Sequence, residues 1–334
     1  MVVAFLDLLG FTHLIQTDLE TARDNLAIFN EMLQTKFVDE KCHPVSTYSP
    51  SNGLREFVEN TTITSFNYLI SVSDSLIIGS NNPDLFVRQI SNFIATVFIQ
   101  YLEPFEKPFC DIKEVHSNMR ATAELSFDGS PKFTFNRAFP LLFRGGISFV
   151  SDTHFNQEGS VWDGKYQLSS VNVSGLSYVK AVQLEKSGLG PRLFCDQAFV
   201  DQIQDVAVKK GIRRLSENLY EIIWTYFGCE ATERSNNIDQ NAFKRADRLF
   251  LPRAINLYNY FLTQCNGNPD DPSKKVVEQY KELILLICRG IYKYVHDNGG
   301  NTPKIANYMN QMLGGCGKDF SWIVTDDELQ YFLM

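Results

Sequence analysis

Residues 2–12 read Val-Val-Ala-Phe-Leu-Asp-Leu-Leu-Gly-Phe-Thr, an apolar run with one carboxylate, Asp7, at its centre and a glycine, Gly10, near its end. A run of this kind followed by an amphipathic segment predicts a buried strand that passes into a helix. A carboxylate inside such a strand is expensive to desolvate unless a positive charge neutralises it, and a metal ion commonly does so. The alternative is an Asp at a frayed strand end, and this segment alone favours neither interpretation.

The composition is that of an ordinary globular protein, with 334 residues of which 44% are hydrophobic and 21% charged, enough for one large or two medium domains. The net charge of −8 argues against a nucleic-acid partner, because phosphate backbones are bound by clustered Lys and Arg. No basic segment precedes the first apolar run, and no stretch approaches the ~20 apolar residues of a membrane span. We therefore expect a cytoplasmic protein that binds neither nucleic acid nor membrane. The seven scattered cysteines are expected to be reduced thiols.

Helical and strand patterns alternate along the first two thirds of the chain. In chain order the predicted elements are a strand at 2–9, a helix at 18–41, two strands at 66–79, a helix at 83–103, a strand at 141–149, a helix at 175–187, and a strand and a helix at 188–206. This order predicts an α+β fold with helices on one face of an antiparallel-rich sheet. Residues 43–60 are predicted to form an excursion loop and residues 111–135 a polar insertion.

The composition changes near residue 240. Long amphipathic helices are predicted at 247–264 and 274–296, separated by a Gly-, Asn- and Pro-rich loop. We therefore divide the chain into a first domain, 1–230, and a C-terminal helical extension, 240–334.

A second carboxylate, Asp74, lies in the Ser-Asp-Ser turn between the two strands at 66–79. In a strand-helix-strand-strand unit the first strand lies beside that hairpin, so Asp7 and Asp74 can converge. Two close carboxylates either share a proton or bind a metal. Two divalent ions about 3.5–4 Å apart are a standard arrangement for activating an attacking oxygen and stabilising a leaving phosphate. The alternative is that each Asp caps its own turn.

These residues resemble the signature of the class III nucleotidyl cyclases. That family has a Phe-x-Asp-x-x-Gly-Phe-Thr strand, matched by residues 5–12, and a second metal-binding Asp in a later hairpin, where this chain has Asp74. It also has an Arg-x-Gly-Ile strand whose Arg contacts the triphosphate, matched by residues 144–147. The resemblance covers about residues 1–227. It implies a ferredoxin-like palm sheet, a nucleotidyl cyclase catalytic domain at 1–230, and a homodimer whose active sites are shared between the subunits.

Two departures from the purine cyclases point to one branch of the family. Ile70 stands where those enzymes have a base-reading Lys or Glu, and Val179 and Gln183 stand where they have an Asn and an Arg that stabilise the transition state. Residues 175–185 follow the pattern Gly-x₅-Ala-x-x-Leu-Glu, and Pro-Arg-Leu follows at 191–193. This combination is similar to the pyrimidine cyclases of bacterial Pycsar anti-phage systems. The resemblance implies conversion of UTP, or alternatively CTP, to cUMP or cCMP, which switches on a separate effector responsive to the cyclic nucleotide.

The resemblance also implies roles for individual residues. Asp7 and Asp74, with the Leu8 carbonyl as a further ligand, would hold two divalent cations, Mg²⁺ or Mn²⁺. One ion would lower the pKa of the ribose 3′-hydroxyl that attacks the α-phosphorus, and the other, with Arg144, would neutralise the triphosphate. Two further assignments concern the base and the phosphates. Tyr68 and Ile70 would contact the base, and Lys180, from the other subunit, would contact the phosphates.

Each of these assignments has a structural alternative. Tyr68 and Ile70 are equally plausible as core residues of a strand, Lys180 as a residue on a solvated helix face, and Arg144 as a surface residue of an edge strand. Two other functions stay open for the whole chain. The first is an adenylate or guanylate cyclase with an unusual base pocket, and the second is an inactive cyclase-like module that binds a nucleotide.

Overall fold

The computed structural model describes residues 1–33, 65–101, 120–125, 131–136, 141–151, 154–162, 166–230, 237–264 and 273–315. The strands are β1 (Val2–Leu8), β2 (Tyr68–Val72), β3 (Ser75–Ser80), β4 (Arg120–Leu125), β5 (Pro131–Asn136), β6 (Phe143–Phe149), β7 (His154–Trp162), β8 (Tyr166–Ser174), β9 (Leu193–Asp196), β10 (Ile212–Arg214) and β11 (Leu219–Ile222). The helices are α1 (Phe11–Thr17), α2 (Leu19–Leu33), α3 (Pro83–Tyr101), α4 (Leu176–Glu185), α5 (Gln197–Val200), α6 (Val206–Lys210), α7 (Trp224–Glu230), α8 (Ile238–Lys244), α9 (Leu251–Gln264), α10 (Ser273–Asp297) and α11 (Thr302–Gly315). A π-helix, Arg245–Phe250, joins α8 to α9.

A mixed sheet with the strand order β10-β11-β9-β6-β1-β3-β2 forms the centre of the fold. Within it, β1, β2, β3 and β6 are arranged in the order β6-β1-β3-β2, and α2 and α3 provide the two helical connections of a β-α-β-β-α-β unit. This is the ferredoxin-like arrangement. In this sheet β6 and β9 pair in parallel and the other neighbours pair antiparallel. The α+β class and the ferredoxin-like palm sheet are therefore confirmed.

The two faces of the sheet carry different helices. On one face, the Phe143 ring packs against Phe29 of α2 and Phe93 of α3, with ring centroids 6.0 and 5.7 Å apart. Gly146 points to the opposite face of β6, because it is an odd number of residues from Phe143. There it lies against α4, and a Cβ atom on Gly146 would overlap the Ala181 carbonyl oxygen. The prediction of helices on one face is therefore wrong for α4.

Several predicted elements are confirmed with shorter bounds, and two hairpins were not predicted. The predicted helix at 18–41 is observed as α2 up to Leu33, and the remainder lies outside the described residues. The hairpins β4–β5 and β7–β8 each form a two-stranded sheet. The first replaces part of the polar insertion predicted at 111–135. The predicted loop at 43–60 lies outside the described residues.

The C-terminal helices pack on the sheet domain through aromatic side chains. Trp224 of α7 contacts Phe98 of α3 and Phe250 of the π-helix, with ring centroids 5.8 and 5.9 Å apart. The helices predicted at 247–264 and 274–296 are confirmed as α9 and α10, and the π-helix takes the first residues of the former. Buried hydrophobic side chains form one continuous cluster from β1 to α11. The domain division at 230–240 stays a prediction.

Apolar side chains of β1 form part of the hydrophobic core. Val2, Ala4 and Leu6 are fully buried on the face that α2 and α3 cover, which agrees with the central position of β1 between β3 and β6. The described cysteines, Cys195, Cys229 and Cys288, are buried and form no disulfide, as expected for reduced thiols. None of the described helices is both long and apolar enough to cross a membrane.

Candidate functional site

Asp7 is held between its two neighbouring strands. In the register of the sheet it stands opposite Ser75 of β3 on one side and Arg144 of β6 on the other. The Ser75 hydroxyl donates a hydrogen bond to Oδ1 of Asp7 at 3.0 Å, and Nη2 of Arg144 donates to Oδ2 at 3.2 Å. The buried Leu6 and Leu8 point to the other face of the sheet. Local alternation along β1 therefore places the one carboxylate of the strand on the face that carries α4.

The turn between β2 and β3 brings Asp74 to the same end of the sheet. Ser73 adopts a φ of 55°, which closes the turn in two residues. The backbone N–H of Leu8 donates to the carbonyl oxygen of Asp74 at 3.1 Å, so the turn is tied to the last residue of β1. The structure thus places Asp7, Leu8 and Asp74 together. Their role as metal ligands stays a prediction.

Glu185 also lies beside Asp7 and Arg144, although the sequence predicts no role for it. It is the last residue of α4, its side chain is 3% exposed, and its Oε1 forms an ion pair with Nε of Arg144. Ser177, Ala181 and Glu185 recur at a spacing of four residues, and all three are buried. That spacing could have placed Glu185 on the inner face of α4, but its contact with Arg144 depends on the fold.

Burial and charge shift the pKa values of both acidic groups that Arg144 contacts. Burial raises the pKa of Asp7, the Arg144 guanidinium opposes this rise, and the negative charge of Asp74 adds to it. Burial likewise raises the pKa of Glu185, Arg144 opposes this rise, and Asp7 adds to it. In both cases the net shift is upward, so one guanidinium does not compensate for the desolvation and mutual repulsion of the carboxylates.

The donor atoms at this site suit a hard divalent cation. Mg²⁺ prefers oxygen ligands and is commonly held by one or two carboxylates together with waters and substrate phosphates. Asp7 and Asp74 provide two such carboxylates. Among the described residues, no cluster of three or more His, Cys, Asp or Glu side chains is arranged as a complete ligand set. Waters, or oxygen atoms of a bound substrate, would complete the coordination of a cation held by these two carboxylates.

Tyr68 and Ile70 lie on the face of the sheet that carries Asp7, but at different distances along it. Ile70 stands opposite Ile77, which stands opposite Phe5 of β1, two residues before Asp7. Tyr68 is two residues farther away and is 36% exposed. Ile70 is therefore the nearer of the two to Asp7, and their assignment to the base stays a prediction.

Lys180 lies on a different side of α4 from Glu185 and Asp7. It lines a cavity of about 570 Å³ together with Asp196 and Gln197, where α4 faces β9 and α5. The opposite side of α4 is marked by Tyr178, whose ring lies 6.4 Å from that of Phe5 in β1. Within one chain the structure does not bring Lys180 to Asp7, so a role at the phosphates requires the site of a second subunit.

Comparison with known proteins gives likenesses at the level of structure alone. Two solved structures, described as adenylate cyclases from Trypanosoma brucei in their monomeric state, are each 14% identical to this chain, with TM-scores of 0.35 and 0.36. Each covers 70% of this chain, and the match spans 89% and 91% of the trypanosomal chains. No protein-family model and no curated protein matches the sequence.

Proposed function

We propose that this chain is a metal-dependent nucleotidyl cyclase of the class III type, which converts a pyrimidine nucleoside triphosphate to its 3′,5′-cyclic monophosphate and pyrophosphate. UTP is the favoured substrate and CTP the second choice. The observation that carries the proposal is the placement of Asp7, Asp74 and Arg144 at one end of a ferredoxin-like sheet. Carboxylates beside a guanidinium suit a reaction that handles both cations and phosphate oxygens.

The side chains of the site have separate tasks in this reaction. Asp7 and Asp74, with the Leu8 carbonyl, would hold two Mg²⁺ or Mn²⁺ ions, and the Ser75 hydroxyl fixes the orientation of the Asp7 carboxylate. Cations held there would supply positive charge that acidifies the 3′-hydroxyl and stabilises the departing pyrophosphate. Arg144 presents a planar, permanently charged group to the triphosphate oxygens. The 3′-hydroxyl releases its proton to solvent, its oxygen forms a bond to the α-phosphorus as the bond to pyrophosphate breaks, and no protein nucleophile is required.

The choice of a pyrimidine rests on the apolar side chains near the site. Ile70 offers no hydrogen bond to a base, and its neighbour on the same strand face, Tyr68, offers an aromatic ring for stacking. Ile70 replaces the polar side chain with which the purine cyclases contact their base, and this loss fits a pocket for a smaller base. We assign the product to a signalling role in anti-phage defence, in which a separate effector senses the cyclic nucleotide.

A homodimer completes the proposed site. Four large apolar side chains are between 36% and 55% exposed. Two of them, Tyr68 and Val72, lie on the sheet face that carries α4, and the other two, Leu176 and Val179, lie on α4 itself. We infer that these four side chains belong to an interface, where a partner would cover their apolar surface. A second copy that covers it would bring its own Lys180 and Gln183 toward Asp7 and Asp74, and both sites of the dimer would be equivalent.

Incubation of the purified chain with Mn²⁺ and each of the four ribonucleoside triphosphates tests the proposal. We expect cUMP, with cCMP as the second possible product, and no product from the Asp7→Asn variant. Cyclisation of ATP or GTP alone would contradict the pyrimidine assignment and support a purine cyclase. Failure of the wild-type chain to cyclise any of the four would support an inactive nucleotide-binding module.

A further inference from the structure

We propose that Glu185 is a positioning residue that keeps Arg144 beside the site when Asp7 binds a divalent cation. The inference rests on the proposed function, because it takes Asp7 as a metal ligand and Arg144 as a phosphate-binding group. In this proposal, α4 contributes Glu185 to the active site of its own chain. In the proposed dimer, the same helix would also contribute Lys180 to the active site of the partner.

The geometry shows one guanidinium held by two carboxylates from two different elements. Nε of Arg144 pairs with Glu185 at the end of α4, and Nη2 pairs with Asp7 in β1. The side chain of Glu185 is 3% exposed, whereas those of Arg144 and Asp7 are 28% and 21% exposed. Glu185 therefore closes the inner side of the group, and Asp7 and Arg144 face the side that solvent and ligands can reach.

The position of Glu185 is unfavourable apart from its contact with Arg144. The end of a helix carries a partial negative charge, which repels a carboxylate in the last turn. Burial also opposes ionisation of this side chain. The close approach of α4 to β6 depends on Gly146, where a Cβ atom would lie only 2.7 Å from the Glu185 backbone nitrogen. The chain thus places a buried anion where the ion pair with Arg144 is the main compensation for its cost.

The ion pair with Glu185 keeps Arg144 in place when Asp7 exchanges its contact with Arg144 for a cation. A cation on Asp7 competes with Nη2 of Arg144 for the carboxylate oxygens and repels the guanidinium. If Asp7 were the sole anchor, Arg144 would either block the cation or leave the site. Glu185 holds the Nε edge throughout, so that Nη2 is released toward the triphosphate while the side chain stays in place.

Cation binding without nucleotide tests this role. We expect Mn²⁺ titration, followed by electron paramagnetic resonance of the full chain, to show about tenfold weaker binding to Glu185→Gln than to wild type, the usual scale for a residue that supports a metal ligand. Glu221→Gln is the matched control. Like Glu185, Glu221 is buried and pairs with the Nε of an arginine, Arg192, at a distance of 2.5 Å. Glu221 lies on β11, however, which is two strands away from β6 in the sheet. We expect this control to bind Mn²⁺ as wild type does.

Equal Mn²⁺ affinity of wild type and Glu185→Gln would overturn the role of Glu185 and leave the proposed cyclase intact. If wild type itself bound no Mn²⁺ without nucleotide, the role of Glu185 would also be overturned, whereas the proposed cyclase is tested separately by the formation of its product. Glu185→Asp keeps the charge and shortens the reach by one methylene. We expect its Mn²⁺ affinity to lie between those of wild type and Glu185→Gln. If Glu185→Gln does not fold, Glu185→Asp becomes the deciding variant. A Glu185→Asp chain that binds Mn²⁺ as tightly as wild type does would then overturn the inference.

Discussion

At the scale of single residues, the site concentrates negative charge around Arg144. Asp7, Asp74 and Glu185 come from three separate elements, and the pKa values of Asp7 and Glu185 are both raised. The sequence predicts Asp7, Asp74 and Arg144, because each lies in a recognisable local pattern. It does not predict the contact between Arg144 and Glu185, because these residues are far apart in the chain and meet only where α4 crosses the sheet.

The raised pKa of Asp7 predicts that its ionised carboxylate reduces the stability of the folded chain without metal. A carboxyl group with a raised folded-state pKa contributes stability that is full below its unfolded value of 3.8 and is lost as the pH rises through the folded-state value. In thermal unfolding at pH 7 without metal, we therefore expect Asp7→Asn to melt at or above the temperature of wild type. The difference should disappear as the pH falls toward 3.8. A wild-type chain that is clearly more stable than Asp7→Asn at pH 7 would contradict this.

At the scale of elements, the packing of α4 on β6 forms the inner wall of the site. The sequence predicts β1, the β2–β3 hairpin and α4 from apolar periodicity and turn residues. It misses the hairpins β4–β5 and β7–β8, whose strands are rich in polar residues and show no continuous apolar run. It also cannot show which face α4 covers, because that depends on the space that Gly146 leaves between two distant segments.

Gly146→Ala is expected to displace α4 from the sheet. Its Cβ atom would overlap the Ala181 carbonyl oxygen and lie 2.7 Å from Cβ of Leu184, so the free energy of unfolding should fall by about 1–3 kcal/mol. Urea unfolding measures the change. Gly314→Ala is the matched control, since no atom lies within 4 Å of its Cβ position and it lies in the last turn of α11. We expect the control to leave stability unchanged or slightly raised. An equal effect of the two substitutions would contradict the packing argument.

At the scale of the whole molecule, the C-terminal helices are connected to the sheet beside the site. Arg192 pairs with the buried Glu221 of β11 and lies 3.8 Å from Glu282 of α10. Its carbonyl oxygen accepts a hydrogen bond from the Gly145 backbone N–H at 2.9 Å. Gly145 directly follows Arg144. The backbone of Arg192 thus joins the helical layer to the strand that carries Arg144, a connection that no local sequence pattern indicates.

The proposed dimer predicts different effects for two similar substitutions. Leu176 and Val206 are exposed apolar residues, by 50% and 72%, and each is the first residue of a helix. Glu is favourable at the start of a helix, so neither substitution should weaken its helix. By light scattering after size-exclusion chromatography, we expect Leu176→Glu to be monomeric and at least about tenfold less active, since charge is poorly tolerated in the core of an interface. Val206→Glu should behave as wild type. Dimers of Leu176→Glu with full activity would refute this interface.

The central claim is that Asp7 and Asp74 act together as the cation-binding pair of a pyrimidine cyclase. The most direct measurement is the initial rate of cUMP formation from UTP, with Mn²⁺ present, by wild type and by Asp74→Asn, with Glu221→Gln as a folding control outside the site. We predict a loss of at least about 100-fold for Asp74→Asn, the scale for removing one charge-stabilising group from a reaction centre, and little change for Glu221→Gln. An Asp74→Asn variant that forms cUMP at the wild-type rate would contradict the account.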